Sequence, residues 1–346
     1  MFRIKTRLSL FIKAHVPFLD GPRLMRIIPI GYACNHHCPM CWRMQLTPKE
    51  KAAWGGNSKT DLTIGDYQKI MTHLPASVKE IEVVGGGEPL LFPDIQTLLS
   101  MIKQCGIYGR LITNGSLFTQ DVMKHCSYIQ WDEIRISINA GRRSVYKTIN
   151  GVDDFNRVVS NIKIIQAIRK NKPCPKIILN YVIQHNNVQD INTFIRVSKQ
   201  LHVDGIHFDT LIQFKHNKNL MLNNKQRLET IKTLNACLHQ TPGKHNIKDV
   251  INQLKFQPNS TMTAQTSDYF KDKYCDIAQY SLDINSNGDT RPCDYVDKTI
   301  ATYNVKSMSI KKIWNKYKAF RHRLYHGDFY PFCYSCTSVL PKKILI

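Results

Sequence analysis

The chain has 346 residues, 42% of them apolar, which suits one large domain or a large domain with a small one. No apolar run reaches the roughly 18 residues of a transmembrane segment, and an odd total of 11 cysteines without a secretory signal excludes a secreted disulfide scaffold and favours a cytoplasmic protein. A formal charge of +22 draws phosphates and other polyanions, yet no zinc-finger, RNA-recognition or GXXG pattern accompanies it.

The N-terminal MFRIKTRLSLFIKAHVPFLDG mixes basic and apolar residues and reads as an amphipathic helix packed on the domain, within an extension over 1–25. RIIPIGYA (26–33) reads as a strand, and a cysteine-bearing loop follows it directly. The pattern then alternates: strand 80–86, helix 91–105, strand 109–115, helix 118–127, strand 133–140, helix 152–169, strand 176–184, helix 189–201 and a sixth strand, 205–214. The strand cores are β-branched with little polar alternation, which predicts a parallel sheet buried on both faces. The expected fold class is α/β, a partial (β/α)6 TIM-like barrel over 26–214. Its motifs cluster where strands end, the edge that carries the active site in such folds. Residues 215–274 turn polar and predict a linker with helices over 222–240 and 245–257 and a loop over 259–274. The tail, 275–346, is expected to be a small, distinct α+β domain. SLDINSNGDTRPC reads as a β-hairpin turning at Asn287–Gly288. A helix over 309–327, capped by Ser309, would bury Ile310, Ile313, Trp314, Tyr317, Phe320 and Leu324.

Seven cysteines fall in two groups: Cys34, Cys38 and Cys41, then Cys275, Cys293, Cys333 and Cys336. The other four, Cys105, Cys126, Cys174 and Cys237, read as small buried hydrophobes. The first group, C-x3-C-x2-C within GYACNHHCPMCW, lets one loop wrap a compact metal–sulfur core, and thiolates favour iron–sulfur clusters or zinc. Three thiolates suit a four-iron cluster with one iron unclaimed by protein. Zinc would want a fourth ligand from His36 or His37, although the x3 gap departs from zinc-knuckle spacing. Four sulfurs in the second group can close a [4Fe–4S] or zinc site.

With Met40 as the apolar residue of C-x3-C-x-Φ-C, Gly86-Gly87-Glu88-Pro89 after the second strand and Thr113-Asn114-Gly115 ending the third, the chain resembles the radical S-adenosylmethionine (radical SAM) superfamily over 26–214. The resemblance implies that Met40 touches the adenine of S-adenosylmethionine, that the GGEP segment holds its amino group, and that Ser137 or Asn139 reaches its ribose. Asn114 joins the same cofactor-binding set. It also implies that Cys34, Cys38 and Cys41 hold a [4Fe–4S] cluster whose open iron chelates S-adenosylmethionine, for reductive cleavage to a 5′-deoxyadenosyl radical that abstracts hydrogen. A glycine run permits close backbone approach to a ligand, Glu88 offers a carboxylate to an ammonium, and alternation puts Ser137 and Asn139 on one side of their strand. The tail, with Gly288–Cys293 and Cys333–Cys336, resembles the Twitch domain, a shortened SPASM domain, which implies a second, auxiliary [4Fe–4S] cluster with full cysteine ligation.

The four-cysteine tail is most similar to that of radical sugar and cyclitol dehydrogenases. The expected reaction is therefore an oxidation of a small polar, anionic or sugar-like substrate, fed by an external one-electron donor such as flavodoxin or ferredoxin. Epimerisation or crosslinking of a ribosomally made peptide, RNA modification, and a non-enzymatic electron-transfer or zinc-binding protein are the alternatives. Late in the barrel, Asn180, His207, Asp209 and Gln213 are candidates to face substrate, with Asp209 or His207 as catalytic proton acceptor. Tyr32 and Trp42 flank the cysteine loop and are expected to shield it from water.

Overall fold

The computed structural model describes residues 20–53, 61–170, 172–256, 273–293, 296, 299–336 and 339–341. The expected N-terminal amphipathic helix and nearly all of the loop expected over 259–274 lie outside these residues. Six strands form the core: β1 (Leu24–Ile27), β2 (Glu80–Val83), β3 (Tyr108–Thr113), β4 (Glu133–Ser137), β5 (Lys176–Ile183) and β6 (Gly205–Thr210). They lie side by side in chain order, each parallel to the next. Between them run α1 (Pro48–Ala53), α2 (Ile64–Thr72), α3 (Ile95–Gln104), α4 (Gln120–Tyr128), α5 (Arg143–Asn150), α6 (Phe155–Arg169) and α7 (Ile191–Gln200). Local chemistry sets the starts of several helices. Thr63 and Asp66 form a reciprocal capping box on α2, and the Thr119 hydroxyl accepts from Val122 N at the start of α4. The short α5 had no separate expectation; it ends at Gly151, whose φ of +69° suits a left-handed cap.

The strands differ from the expected two-sided apolar pattern, because they alternate. One face carries Ile81, Val83, Leu111, Ile134, Ile136 and Leu179, buried in one core with Leu98 and Leu99 of α3 and Ile162 of α6. The opposite face is charged. Asp283, Arg26, Glu82, Arg110 and Glu133 stand opposite one another in register across adjacent strands. Their signs alternate, with Arg26 Nε 2.7 Å from Asp283 and Arg110 Nε 2.7 Å from Glu133. Arg110 also pairs with Glu80 and Glu82. A charge removed from water costs several kcal/mol unless paired, and alternation gives every member an opposite neighbour. The alternation is spelled out in the sequence itself, in EIEV of β2 and EIRIS of β4.

The tail also departs from expectation. Its hairpin does not stand apart: β9 (Ser281–Ile284) pairs in parallel with β1, Leu24 opposite Ser281, and β10 (Asp289–Arg291) continues antiparallel. With β11 (Tyr303–Asn304) outside β10 and β7 (Lys244–His245) outside β6, the sheet has ten strands among the described residues. The open edge of β1 offers unpaired N–H and C=O groups, and the hairpin satisfies them. Gly288 turns the hairpin with φ +89°. β8 (Lys273–Cys275) and β12 (Val339–Pro341) make a separate antiparallel ribbon. Both linker helices form, α8 (Asn224–Cys237) and α9 (Ile247–Phe256). The helix expected over 309–327 is two, α10 (Ile310–Lys316) and α11 (Lys318–Tyr325), parted at Tyr317, whose hydroxyl is anchored on Thr290 O at 2.8 Å. Ser309 caps the first, and the six stripe residues are buried. Among the described residues no helix is long and apolar enough to cross a membrane.

Candidate active site

The loop after β1 carries Cys34, Cys38 and Cys41, and the ends of β2, β3 and β4 close around it. Arg43 braces the loop across its width, donating to Tyr32 O at 2.8 Å and to His36 O at 2.9 Å. From the exit of β3, Asn114 donates to Asn35 Oδ1 at 2.9 Å, and Asn35 donates to the Ser116 hydroxyl at 2.8 Å. From the end of α5, Asn150 O accepts from His37 N at 3.3 Å and lies 3.6 Å from Cys38 Sγ. The glycines after β2 are required by this packing. A Cβ on Gly86 would lie 2.1 Å from Gly31 O and one on Gly87 1.8 Å from Ala33 O. Their close approach is thus to the backbone of the cysteine loop, and Glu88 N donates to Ala33 O at 2.8 Å.

A cleft of about 240 Å³ opens above this loop. Cys34, Cys38 and Cys41 line it together with Met40, Gly86, Gly87, Glu88, Pro89, Asn114, Ser137 and Asn139. Glu88 is 2% exposed, and its carboxylate accepts from Asn114 N at 2.8 Å, Leu90 N at 3.1 Å and the Thr113 hydroxyl. Burial pushes its pKa above the usual glutamate range, against those hydrogen bonds. Glu88 therefore ties the loop after β2 to the end of β3 as well as bordering the cleft. β4 ends at Ser137, so alternation does not reach Asn139, which has φ +58°. Asn139 Oδ1 accepts from Val182 N at 2.9 Å, and its amide donates to Asn150 Oδ1 at 3.2 Å.

A second cavity, about 430 Å³, continues from the other side of Met40, Cys41 and Trp42. Its far wall holds Cys275, Cys293 and Cys336 of the second cysteine group. Cys333 is buried with Cys275, Phe320, Leu324 and Phe329. The cavity thus spans the space between the two groups. Trp42 borders both spaces, while Tyr32 supplies the carbonyl held by Arg43. Asp209 faces the second cavity, and its side chain is 47% accessible. Asn180 donates to Asp209 Oδ2 at 3.0 Å, and His207 Nε2 stands 3.2 Å from Oδ1. Burial opposes ionisation of Asp209, but the hydrogen bond and charge of His207, the amide of Asn180 and the charge of Arg135 outweigh it and hold the carboxyl below the usual range. Gln213 lies beyond the end of β6.

The residues fit an iron–sulfur group at the first loop. Of the nearby side chains, three donors hold Glu88, while His36 Nε2 stands 3.4 Å from Asp154 and neither ring nitrogen of His36 makes a hydrogen bond. Burial, then the neighbouring thiols, pushes Cys38 up to about 12, and burial pushes Cys275 up to about 12. Such thiols become thiolates only when a cationic centre takes their charge. Among the described residues no three His, Cys, Asp or Glu side chains are drawn together as for a single metal ion.

Four supporting residues have no motif to reveal them: Arg43, Asn150, Gln184 and Asn217. Gln184 Nε2 contacts Met40 Sδ at 3.3 Å, and Asn217 Nδ2 donates to Met40 O at 3.1 Å. Asn150, Gln184 and Asn217 act through long-range contact, which local spacing does not encode, whereas Arg43 reaches back within its own loop.

Comparison with known proteins agrees with this geometry. Residues 28–197 match the radical SAM superfamily, and 275–337 match the iron–sulfur cluster-binding SPASM domain. An uncharacterized protein of Methanocaldococcus jannaschii is 27% identical over 208 residues, 59% of this chain and 63% of that protein. A probable GTP 3′,8-cyclase of Saccharolobus islandicus is 33% identical over 183 residues, 52% of this chain and 54% of that one. The match therefore spans less than two thirds of these relatives' length. Streptococcus suis SuiB, solved with S-adenosylmethionine, superposes with a TM-score of 0.66 at 16% identity, covering 98% of this chain and 73% of SuiB. Native anSMEcpe with bound AdoMet superposes with a TM-score of 0.65 at 16% identity, covering 91% of this chain and 89% of that one. The two matched domains imply two iron–sulfur clusters and binding of S-adenosylmethionine. The chain carries a radical SAM domain followed by a C-terminal SPASM-like auxiliary iron–sulfur domain.

Proposed function

We propose that this enzyme performs radical modification of a peptide, taking one of its side chains into the cavity between the two cysteine groups. The observation that carries the reading is the character of that cavity. Trp42, Val182, Leu211, Ile212, Phe214 and Ile277 supply its apolar walls, and its polar side chains are few: Asp209, Thr210, Gln253 and Arg26, the last paired with Asp283. A sugar or cyclitol would bury a hydroxyl on nearly every carbon, and each unpaired one costs about 1–3 kcal/mol. An amino-acid side chain presents an apolar stem instead. Within this fold, SuiB has been solved with its precursor peptide SuiA.

Cys34, Cys38 and Cys41 would hold the cluster with one iron open, and Met40, Gly86, Gly87, Glu88, Pro89, Asn114, Ser137 and Asn139 would surround S-adenosylmethionine. When bound and reduced by an external one-electron donor, these groups supply a 5′-deoxyadenosyl radical. Asp209 receives the proton released as the substrate is oxidised, with His207 and Asn180 holding its carboxylate in place. Cys275, Cys293, Cys333 and Cys336 would carry the auxiliary cluster, beside the cavity where an electron is released.

A small polar substrate is the second reading, favoured by the polar corner of Asp209, His207 and Asn180. One experiment separates the two. Reduced, reconstituted enzyme is incubated with S-adenosylmethionine and either a peptide fraction or a small-metabolite fraction of a cell extract. A rise in 5′-deoxyadenosine with the peptide fraction, and a peptide whose mass changes, is expected. Modification confined to a small metabolite would overturn the peptide reading.

A further inference from the structure

Met40 is held at both ends by residues outside the cysteine loop. Its sulfur meets Gln184 Nε2 at 3.3 Å, at the exit of β5, where Gln184 is 1% exposed. Its carbonyl accepts from Asn217 Nδ2 at 3.1 Å. Asn217 belongs to a short 3-10 helix, Lys215–Leu220, that follows β6, and it is fully buried. The same amide nitrogen donates to Ile212 O at 3.0 Å, and Oδ1 accepts from Phe214 N at 2.7 Å. The two supports are themselves joined, since His185 N donates to Leu220 O at 2.8 Å.

The placement of the tethered groups gives this arrangement its meaning. Met40 borders both the cleft and the second cavity, whereas Ile212 and Phe214 wall the second cavity. A planar amide with two donor hydrogens and one acceptor oxygen fixes three backbone groups relative to one another at once. A buried side chain that served only its own turn would need no bond to a loop far away in sequence.

We propose that Asn217 is a positioning residue that clamps the cofactor-side loop, at Met40, to the wall of the substrate cavity. It keeps the two spaces in one register, so that loosening one loosens the other. The inference rests on the reading of the cleft as the site of S-adenosylmethionine, but not on which substrate fills the second cavity.

The test uses anaerobically reconstituted full-length protein without any substrate. In Asn217→Leu, iron per chain is expected to match the wild type. Hydrogen exchange is expected to quicken in both 212–220 and 38–45, and S-adenosylmethionine, measured by calorimetric titration, to bind about tenfold more weakly after loss of the three hydrogen bonds. Faster exchange confined to 212–220, with unchanged S-adenosylmethionine affinity, would make Asn217 a local cap and overturn the proposal. If Asn217→Leu fails to load iron, Asn217→Asp decides. It keeps the acceptor for Phe214 N and puts a carboxylate oxygen, which repels the Met40 and Ile212 carbonyls, in place of the donor. The clamp predicts the same double loosening, and a local cap predicts wild-type behaviour in 38–45. A wild-type protein that loads iron but does not bind S-adenosylmethionine would instead strike at the assignment of the cleft.

Discussion

At the scale of single residues, the site depends on polar groups whose chemistry is set by neighbours. Asp209 illustrates this. Its burial favours the neutral acid, yet His207, Asn180 and Arg135 keep it ionised. Asp209→Asn should therefore lower product formation by about 100-fold or more, while substrate-independent cleavage of S-adenosylmethionine stays near wild type. Chromatography of both products from one reaction reads the split. Because the folded pKa lies below the ordinary aspartate value near pH 4, Asp209 adds stability above that value that is lost as pH falls through its folded pKa. The product-forming rate should carry no Asp209 limb from about pH 5 upward; an acidic limb near pH 6 that Asp209→Asn abolishes would contradict this account. Glu88 behaves oppositely, with burial raising its pKa. In Glu88→Gln, one of the donors Asn114 N, Leu90 N or the Thr113 hydroxyl loses its acceptor. Denaturant titration should register a loss of about 1–3 kcal/mol.

Among the elements, two features hold the barrel in shape around the cysteine loop. The first is the contact of the segment after β2 with the loop after β1. Gly87→Ala would drive a methyl to within 1.8 Å of Ala33 O. It should cost about 1–3 kcal/mol and lower iron uptake on reconstitution, measured as iron per chain. The second is the row of alternating charges across β9, β1, β2, β3 and β4. Arg110→Met leaves Glu80, Glu82 and Glu133 without their shared partner, at an expected cost of about 3–5 kcal/mol in urea unfolding. A change below about 1 kcal/mol would mean that the row is solvated, as surface pairs are. The sequence spells out the cysteine spacing, the GGEP run and six βα repeats, because those are local patterns. Pairing of Arg110 with Glu82 and Glu133 is not legible there, since it depends on strands that meet only in the folded sheet. Asn217 and Gln184 escape for the same reason: they lie 177 and 144 residues from the Met40 atoms they hold. Gly86 and Gly87 were legible as necessary glycines, but their nearest constraint is the cysteine loop's own backbone.

For the molecule as a whole, the decisive feature is that the tail is built into the core. β9 completes the edge of β1, and Arg26 and Asp283 join the two pieces at 2.7 Å. This places Cys275, Cys293 and Cys336 across one cavity from Cys41. The tail's own composition predicts a hairpin and a helix; only the vacant edge of β1 decides where they dock. The core strands and the hairpin should accordingly unfold in one transition, seen as coincident loss of far-ultraviolet dichroism and Trp314 burial, with Trp314 followed as the remaining tryptophan after replacement of the others by Phe. The central claim is that two cysteine-held clusters face one substrate cavity. Anaerobic reconstitution followed by iron analysis and a S-adenosylmethionine cleavage assay tests it most directly. The account predicts about eight irons per chain and 5′-deoxyadenosine on reduction, falling to about four irons and no cleavage when Cys34, Cys38 and Cys41 are replaced by Ala. A wild-type chain that takes up zinc in place of iron, or cleaves S-adenosylmethionine without those three cysteines, would contradict it.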